Sequence, residues 1–155
     1  MDLHPDFKDL LSALADTSAK YLVVGGWAVG YHSEPRFTKD LDLFIGSSFE
    51  NLEVVAKALM QFGAPAALVD ALRALGPDEF LFLGAPPVRV DILRRIEGVE
   101  FEAAYARRES VQWDNVPVSI ISLDDLLAAK RAAGRERDQR DVKALERSRR
   151  KKHGQ

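Results

Sequence analysis

Cysteine is absent from this 155-residue chain. Its absence excludes disulfides and thiolate metal sites and fits a reducing compartment. Histidine is scarce: His4, His32 and His153 are too scattered to read as a metal site, and His32 reads as a surface loop residue. No apolar run approaches the roughly 18 residues of a membrane span. The opening MDLHPDFKDLL is acidic and amphipathic, unlike a signal peptide. The expectation is a cytoplasmic protein with no membrane partner. There is no internal repeat, no low-complexity linker, no Walker A loop and no GxGxxG fingerprint. The length suffices for one ordinary core and not for two. One domain over residues 1–146 is expected, followed by a basic tail, 147–155, expected to be disordered.

Net charge is only −2, but it is unevenly spread. From Lys130 onward there are 11 Lys and Arg against 4 Asp and Glu, or +7; the other 129 residues hold 22 − 11 = 11 basic and 24 − 4 = 20 acidic side chains, or −9. A basic end on an acidic body points to a polyanionic partner or a polyphosphate substrate. A solvated helix end explains the tail equally well.

Periodicity predicts helices over 5–18, 27–31, 49–62, 66–75, 101–107 and 138–149, with another opening at Ser122. It predicts strands over 21–24, 41–45, 79–83, 88–93, 110–113 and 117–121, the last two joined in a hairpin by Asp114-Asn115. The order implies a mixed sheet covered by helices, α+β or α/β.

Within this frame, VVGGWAVGYHSEPRFTKDLDLFI (residues 23–45) is the informative stretch. Asp40 and Asp42 are two apart on a strand and share a face, while Leu41, Leu43 and Ile45 face the core. Adjacent carboxylates repel unless something positive lies between them, and a hard divalent cation with oxygen ligands, Mg²⁺ above all, meets that need. Pairing with Arg36 or Lys39 on a solvated strand is the simpler alternative. Asp91, in VRVDIL, is a carboxylate in the middle of an apolar strand, which disfavours it. If that strand lies beside residues 41–45, three carboxylates converge and suit a two-metal site for displacement at phosphorus. Otherwise Asp91 pairs with Arg89 or Arg94. Gly25 and Gly26, between strand and helix, let backbone N–H groups approach a phosphate at a helix N-terminus. Arg36, Thr38 and Lys39 add donors for phosphate oxygens.

The block from Val23 to Ile45, followed by VRVDIL, resembles the nucleotidyltransferase superfamily of DNA polymerase β. The form GGWAV…R.TKDLDL is most similar to the small bacterial lincosamide and aminoglycoside nucleotidyltransferases and to AbiEii-type toxins. ISLDDLLAAKRAAGRERDQRDVKAL, with Lys130, Arg135, Asp138 and Asp141, resembles the toxin group. The resemblance implies a polymerase-β-like fold and a Mg²⁺-dependent transfer of a nucleoside monophosphate from a nucleoside triphosphate to a hydroxyl. In that chemistry Asp40, Asp42 and Asp91 are catalytic and hold metal. Gly25 and Gly26 cradle the triphosphate, and Arg36 and Lys130 neutralise departing phosphate. The acceptor is left open between an antibiotic, an RNA 3′ end and a protein. A non-catalytic nucleotide-sensing or toxin–antitoxin partner module on the same fold is the alternative. Trp27 is expected to pack beside the pocket.

Overall fold

Alternation over DLDLFI and VRVDIL predicts two strands with one apolar face each, and both form. The computed structural model describes residues 3–36, 38, 40–46, 48–85 and 88–152. Its elements are α1 (Pro5–Asp16), β1 (Tyr21–Val24), α2 (Gly25–His32), β2 (Asp40–Ile45), α3 (Phe49–Phe62), α4 (Ala66–Arg73), β3 (Phe80–Ala85), β4 (Val88–Leu93), α5 (Phe101–Ala106), β5 (Glu109–Trp113), β6 (Val116–Ile120), α6 (Leu123–Ala133) and α7 (Glu136–Lys152).

The six strands make one mixed sheet in the order β3-β4-β2-β1-β6-β5, the α+β arrangement expected. β2 runs antiparallel to β1 and parallel to β4. A parallel neighbour needs a long crossover, and α3, α4 and β3 supply it. The β5–β6 hairpin closes at Asp114-Asn115, both with positive φ (52° and 65°), as a two-residue turn of this twist requires. α3 ends at Gly63, whose φ of 97° is the left-handed cap that glycine adopts without strain.

Helices α1, α3 and α4 pack on one another, and α2, α6 and α7 form a second group. Leu41, Leu43 and Ile45 are buried on one face of β2, as alternation requires. On the other face Phe44 is also buried, edge-on to Phe101 of α5 at 5.1 Å. Two residues earlier the cover stops, so Asp42 and Asp40 are only partly buried. The site therefore lies where a central strand emerges from under its covering helix.

Three local expectations change. His32 is 2% exposed at the end of α2, not on a surface loop, with Nε2 2.7 Å from the Ile121 carbonyl oxygen and 3.6 Å from Glu109 Oε2. Trp27 does not face the cleft described below. Its ring lies 6.1 Å from Phe7 and 5.6 Å from Trp113, in an aromatic cluster joining α1 to the hairpin. The last helix continues through Lys152, so residues 147–152 are helical where a disordered tail was expected; residues 153–155 lie outside the described residues. Among the described residues, no helix is long and apolar enough to cross a membrane.

Candidate active site

Parallel pairing of β2 with β4 sets Asp42 directly opposite Asp91 and Asp40 opposite Arg89. Two of the three carboxylates expected to converge, Asp42 and Asp91, thus face each other across adjacent strands, while Asp40 faces Arg89 instead. Asp42 is strongly perturbed. Burial, then the facing Asp91 charge and hydrogen bond, then Asp40, push its pKa from the ordinary 3.8 up to about 7, against a smaller opposing pull from Lys130. Asp91 has a positive partner, Arg89, whose Nε donates to Oδ1 at 2.7 Å. This is the pairing that a merely structural role would also produce. Among the described residues, no three His, Cys, Asp or Glu side chains are gathered around one point as a formed metal centre. The donor set nonetheless suits a hard cation. Asp42 and Asp91 oppose each other, and the all-oxygen chemistry is what Mg²⁺ selects.

Gly25 explains itself through Asp42. Its φ is +65°, and a Cβ added there would lie 2.0 Å from Asp42 Oδ2. The glycine is therefore needed first to let the carboxylate in. A Cβ on Gly26 would lie 2.8 Å from Thr38 Cγ2, which places Thr38 over the same turn. Among the described residues no side chain caps α2, which leaves the N–H groups of its first turn open to another acceptor, with the helix dipole favouring an anion. Gly25→Ala is expected to cost about 2 kcal/mol or more from clash and positive φ. Urea unfolding of Gly25→Ala, Asp42→Ala and the double variant checks the cause: the penalty should shrink when the carboxylate is gone.

Above this floor lies a cleft of about 570 Å³, lined by Gly25, Gly26, Arg36, Asp42, Lys130 and Arg135 among others. Asp42 is the only one of the three carboxylates that lines it among the described residues. The cationic wall is held in place by two aspartates of α7, Asp138 and Asp141. Lys130 Nζ, whose side chain is 14% exposed, lies 2.9 Å from Asp141 Oδ2 and 3.4 Å from Asp138 Oδ1. Arg36 Nη1 donates to Asp141 Oδ1 at 2.9 Å, and Arg135 Nε to Asp138 Oδ2 at 2.6 Å. Three cations share two carboxylates, which leaves one excess positive charge. Burial alone would raise both aspartates. For Asp138 the hydrogen bond from Arg135 and then the Lys130 charge overcome it; for Asp141 the hydrogen bonds from Arg36 and Lys130 do, so both pKa values lie below the ordinary range.

The structure thus brings together Gly25, Gly26, Arg36, Asp42 and Lys130 in the cleft, with Asp40, Asp91 and Thr38 beside it. Lys39 lies outside the described residues. The buried aspartates of α7 carry roles that sequence reasoning left unassigned; their signal was two aspartates three apart facing a helix that carries a lysine.

No protein-family model matches the chain, and no curated protein matches it. Solved structures do. An antigenic nucleotidyltransferase-like protein from Paracoccidioides brasiliensis superposes with a TM-score of 0.52 at 14% identity, over 94% of this chain and 77% of that one. The ANT(2")-Ia structure in complex with adenylyl-2"-tobramycin aligns over 92% of this chain and 95% of its own, at 14% identity and a TM-score of 0.42.

Proposed function

We propose that this chain, whose fold is that of a nucleotidyltransferase-like protein, transfers a nucleoside monophosphate from a nucleoside triphosphate to a hydroxyl. One observation carries the reading. Asp42, in a cleft whose wall presents Lys130, Arg36 and Arg135, is held in register with Asp91 on the adjacent strand. Such a site has one place for a cation and another for departing phosphate.

The uncapped start of α2 at Gly25-Gly26 takes triphosphate oxygens through backbone N–H groups. Lys130 and Arg36, pre-aimed by Asp138 and Asp141, neutralise charge as it builds on the leaving pyrophosphate, the electrostatic help on which phosphoryl-type transfer depends. In the reaction the acceptor oxygen bonds to the α-phosphorus as the bond from that phosphorus to the bridging oxygen breaks. Pyrophosphate leaves, and the hydroxyl proton passes to Asp91 or to water. Asp40, Asp42 and Asp91 are the residues that would hold Mg²⁺, which when bound neutralises phosphate charge and lowers the barrier to displacement.

The test is a thermal-shift screen of the four ribonucleoside triphosphates, each with Mg²⁺ and with EDTA. A ligand bound only by the native state stabilises it by RT ln(1 + [L]/Kd), so millimolar nucleotide reveals even a weak site. A shift that requires Mg²⁺ is expected. No shift with any nucleotide would overturn the reading. A shift without pyrophosphate release on any acceptor would favour a nucleotide-sensing module instead.

A further inference from the structure

On the site face of the sheet stands a feature that triphosphate binding leaves unused. The β3–β4 register sets Phe82 opposite Asp91, which itself faces Asp42. Phe82, Asp91 and Asp42 therefore form one row across three strands. Phe80, two residues back on the same face, is opposite Leu93. The intervening Leu81 and the following Leu83 turn to the other face, where Leu83 is buried. Phe80 and Phe82 remain 57% and 50% exposed, with ring centroids 6.2 Å apart and planes 31° from parallel. The Arg89 guanidinium lies 4.4 Å from the Phe82 centroid, and the same side chain holds Asp91. β3 is an edge strand. Edge strands are normally blunted with charge or proline rather than furnished with two open aromatic rings. Burying the rest of each ring would stabilise the fold, so leaving both open is a cost that folding alone does not explain.

The direction of attack, which rests on the nucleotidyl-transfer reading, gives these rings a place in the reaction. The cationic wall and the start of α2 mark where pyrophosphate leaves. An in-line nucleophile enters from the opposite side of the phosphorus, which from Asp42 means over Asp91 and from the β3 edge. Neighbouring strands are about 4.8 Å apart. A planar group stacked on Phe82 therefore carries an attached sugar hydroxyl one strand spacing inward, at Asp91.

We propose that Phe82, with Phe80 and Arg89, is the acceptor subsite, and that its occupant is the unpaired 3′-terminal nucleoside of a single-stranded RNA. The base stacks on the rings, and Arg89 takes the adjoining phosphate, releasing Asp91 toward the ribose. Base–aromatic stacking is sequence-tolerant and well served by an exposed ring with a guanidinium on it. A protein docked over the rings would also desolvate the neighbouring carboxylates at high cost. A ribose brings two hydroxyl donors to them, where deoxyribose brings one.

The test measures anisotropy of a 5′-labelled five-nucleotide RNA binding to the full chain, beside the same strand made abasic at its 3′ residue and a DNA twin. Wild type is expected to bind the intact RNA roughly tenfold or more tighter than the abasic strand, the range of one stacked base. Phe82→Ala should erase that difference, Phe82→Tyr should keep it, and DNA should bind more weakly than RNA. Equal affinity for intact and abasic RNA, no binding of either, an unaffected Phe82→Ala, or DNA equal to RNA would overturn the proposal. So would sedimentation showing a wild-type dimer that Phe82→Ala converts to monomer, since the rings would then be a self-interface. The Mg–nucleotide thermal shift reads the triphosphate site separately. If it is present while base discrimination is missing, only the acceptor subsite falls. If it is missing while base discrimination persists, the transfer reading falls and the acceptor role falls with it, leaving only a site on which RNA stacks.

Discussion

Asp42→Asn is expected to melt higher than the wild-type chain at pH 8 without divalent cation, and to lose all stabilisation by Mg–nucleotide and all transfer activity. The reason is the same for both effects. In the folded chain Asp42 titrates near 7 against 3.8 for an ordinary aspartate, chiefly because it is desolvated and faces Asp91. Between those values the folded state holds a proton that the unfolded state has released. Stability contributed by the protonated form is therefore complete below about pH 4 and falls as pH rises to about 7. Asparagine carries no charge to desolvate, so it avoids the penalty, about 1–3 kcal/mol once partial exposure is allowed for. Melting curves of both proteins from pH 4 to pH 9 check this: they should coincide near pH 4 and diverge upward. Added Mg²⁺ should narrow the gap by stabilising the ionised wild type alone. A variant that unfolds, or one that still shifts with Mg–nucleotide, would remove Asp42 from the site.

Asp138→Ala is expected to produce the opposite result, a loss of about 2–4 kcal/mol. Asp138 is fully buried and accepts hydrogen bonds from the Arg135 side chain and, at 3.2 Å, from the Arg135 backbone N–H at the start of α7. It thus completes the helix cap as well as the ion network. Without it, Lys130 keeps Asp141 alone while remaining largely buried. Urea unfolding measures the cost. Arg140→Ala, which breaks only the exposed 3.5 Å pair with Glu136, should change stability within error. The pH signature is also opposite in sign to that of Asp42. The pKa values of Asp138 and Asp141 are lowered on folding, so what they contribute is complete above the ordinary aspartate range and lost as pH falls below it. Wild type should accordingly show an acid limb that is reduced in Asp138→Ala.

The two blocks that supply the carboxylates of the candidate site were legible because strand periodicity is local. A spacing of two puts Asp40 and Asp42 on one face wherever the strand ends up, and VRVDIL isolates Asp91 from its apolar neighbours in the same way. Gly25 was legible as a backbone position but not in its cause. That a Cβ would strike Asp42 follows from β1 lying beside β2, with Val24 opposite Asp42, and nothing in GGWAV specifies that neighbour. His32 and Trp27 were misplaced for a related reason. Whether a helix end or an indole faces solvent, cleft or core depends on which element covers it, here the residues around Ile121 for His32 and Phe7 with Trp113 for Trp27.

By itself the sequence determined the positions of the helices and strands, the hairpin turn and which side of each strand is apolar, because these follow from hydrophobic period and turn chemistry over a few residues. Only the tertiary structure decided that β4 lies parallel to β2 in the register that sets Asp91 against Asp42. It alone decided that α7 offers two buried aspartates to Lys130, Arg36 and Arg135, and that β3 is an edge with its phenylalanines open. Those are relations between segments far apart in the chain. They are set by which faces can be buried together, and a local pattern constrains its own face without choosing the partner that covers it.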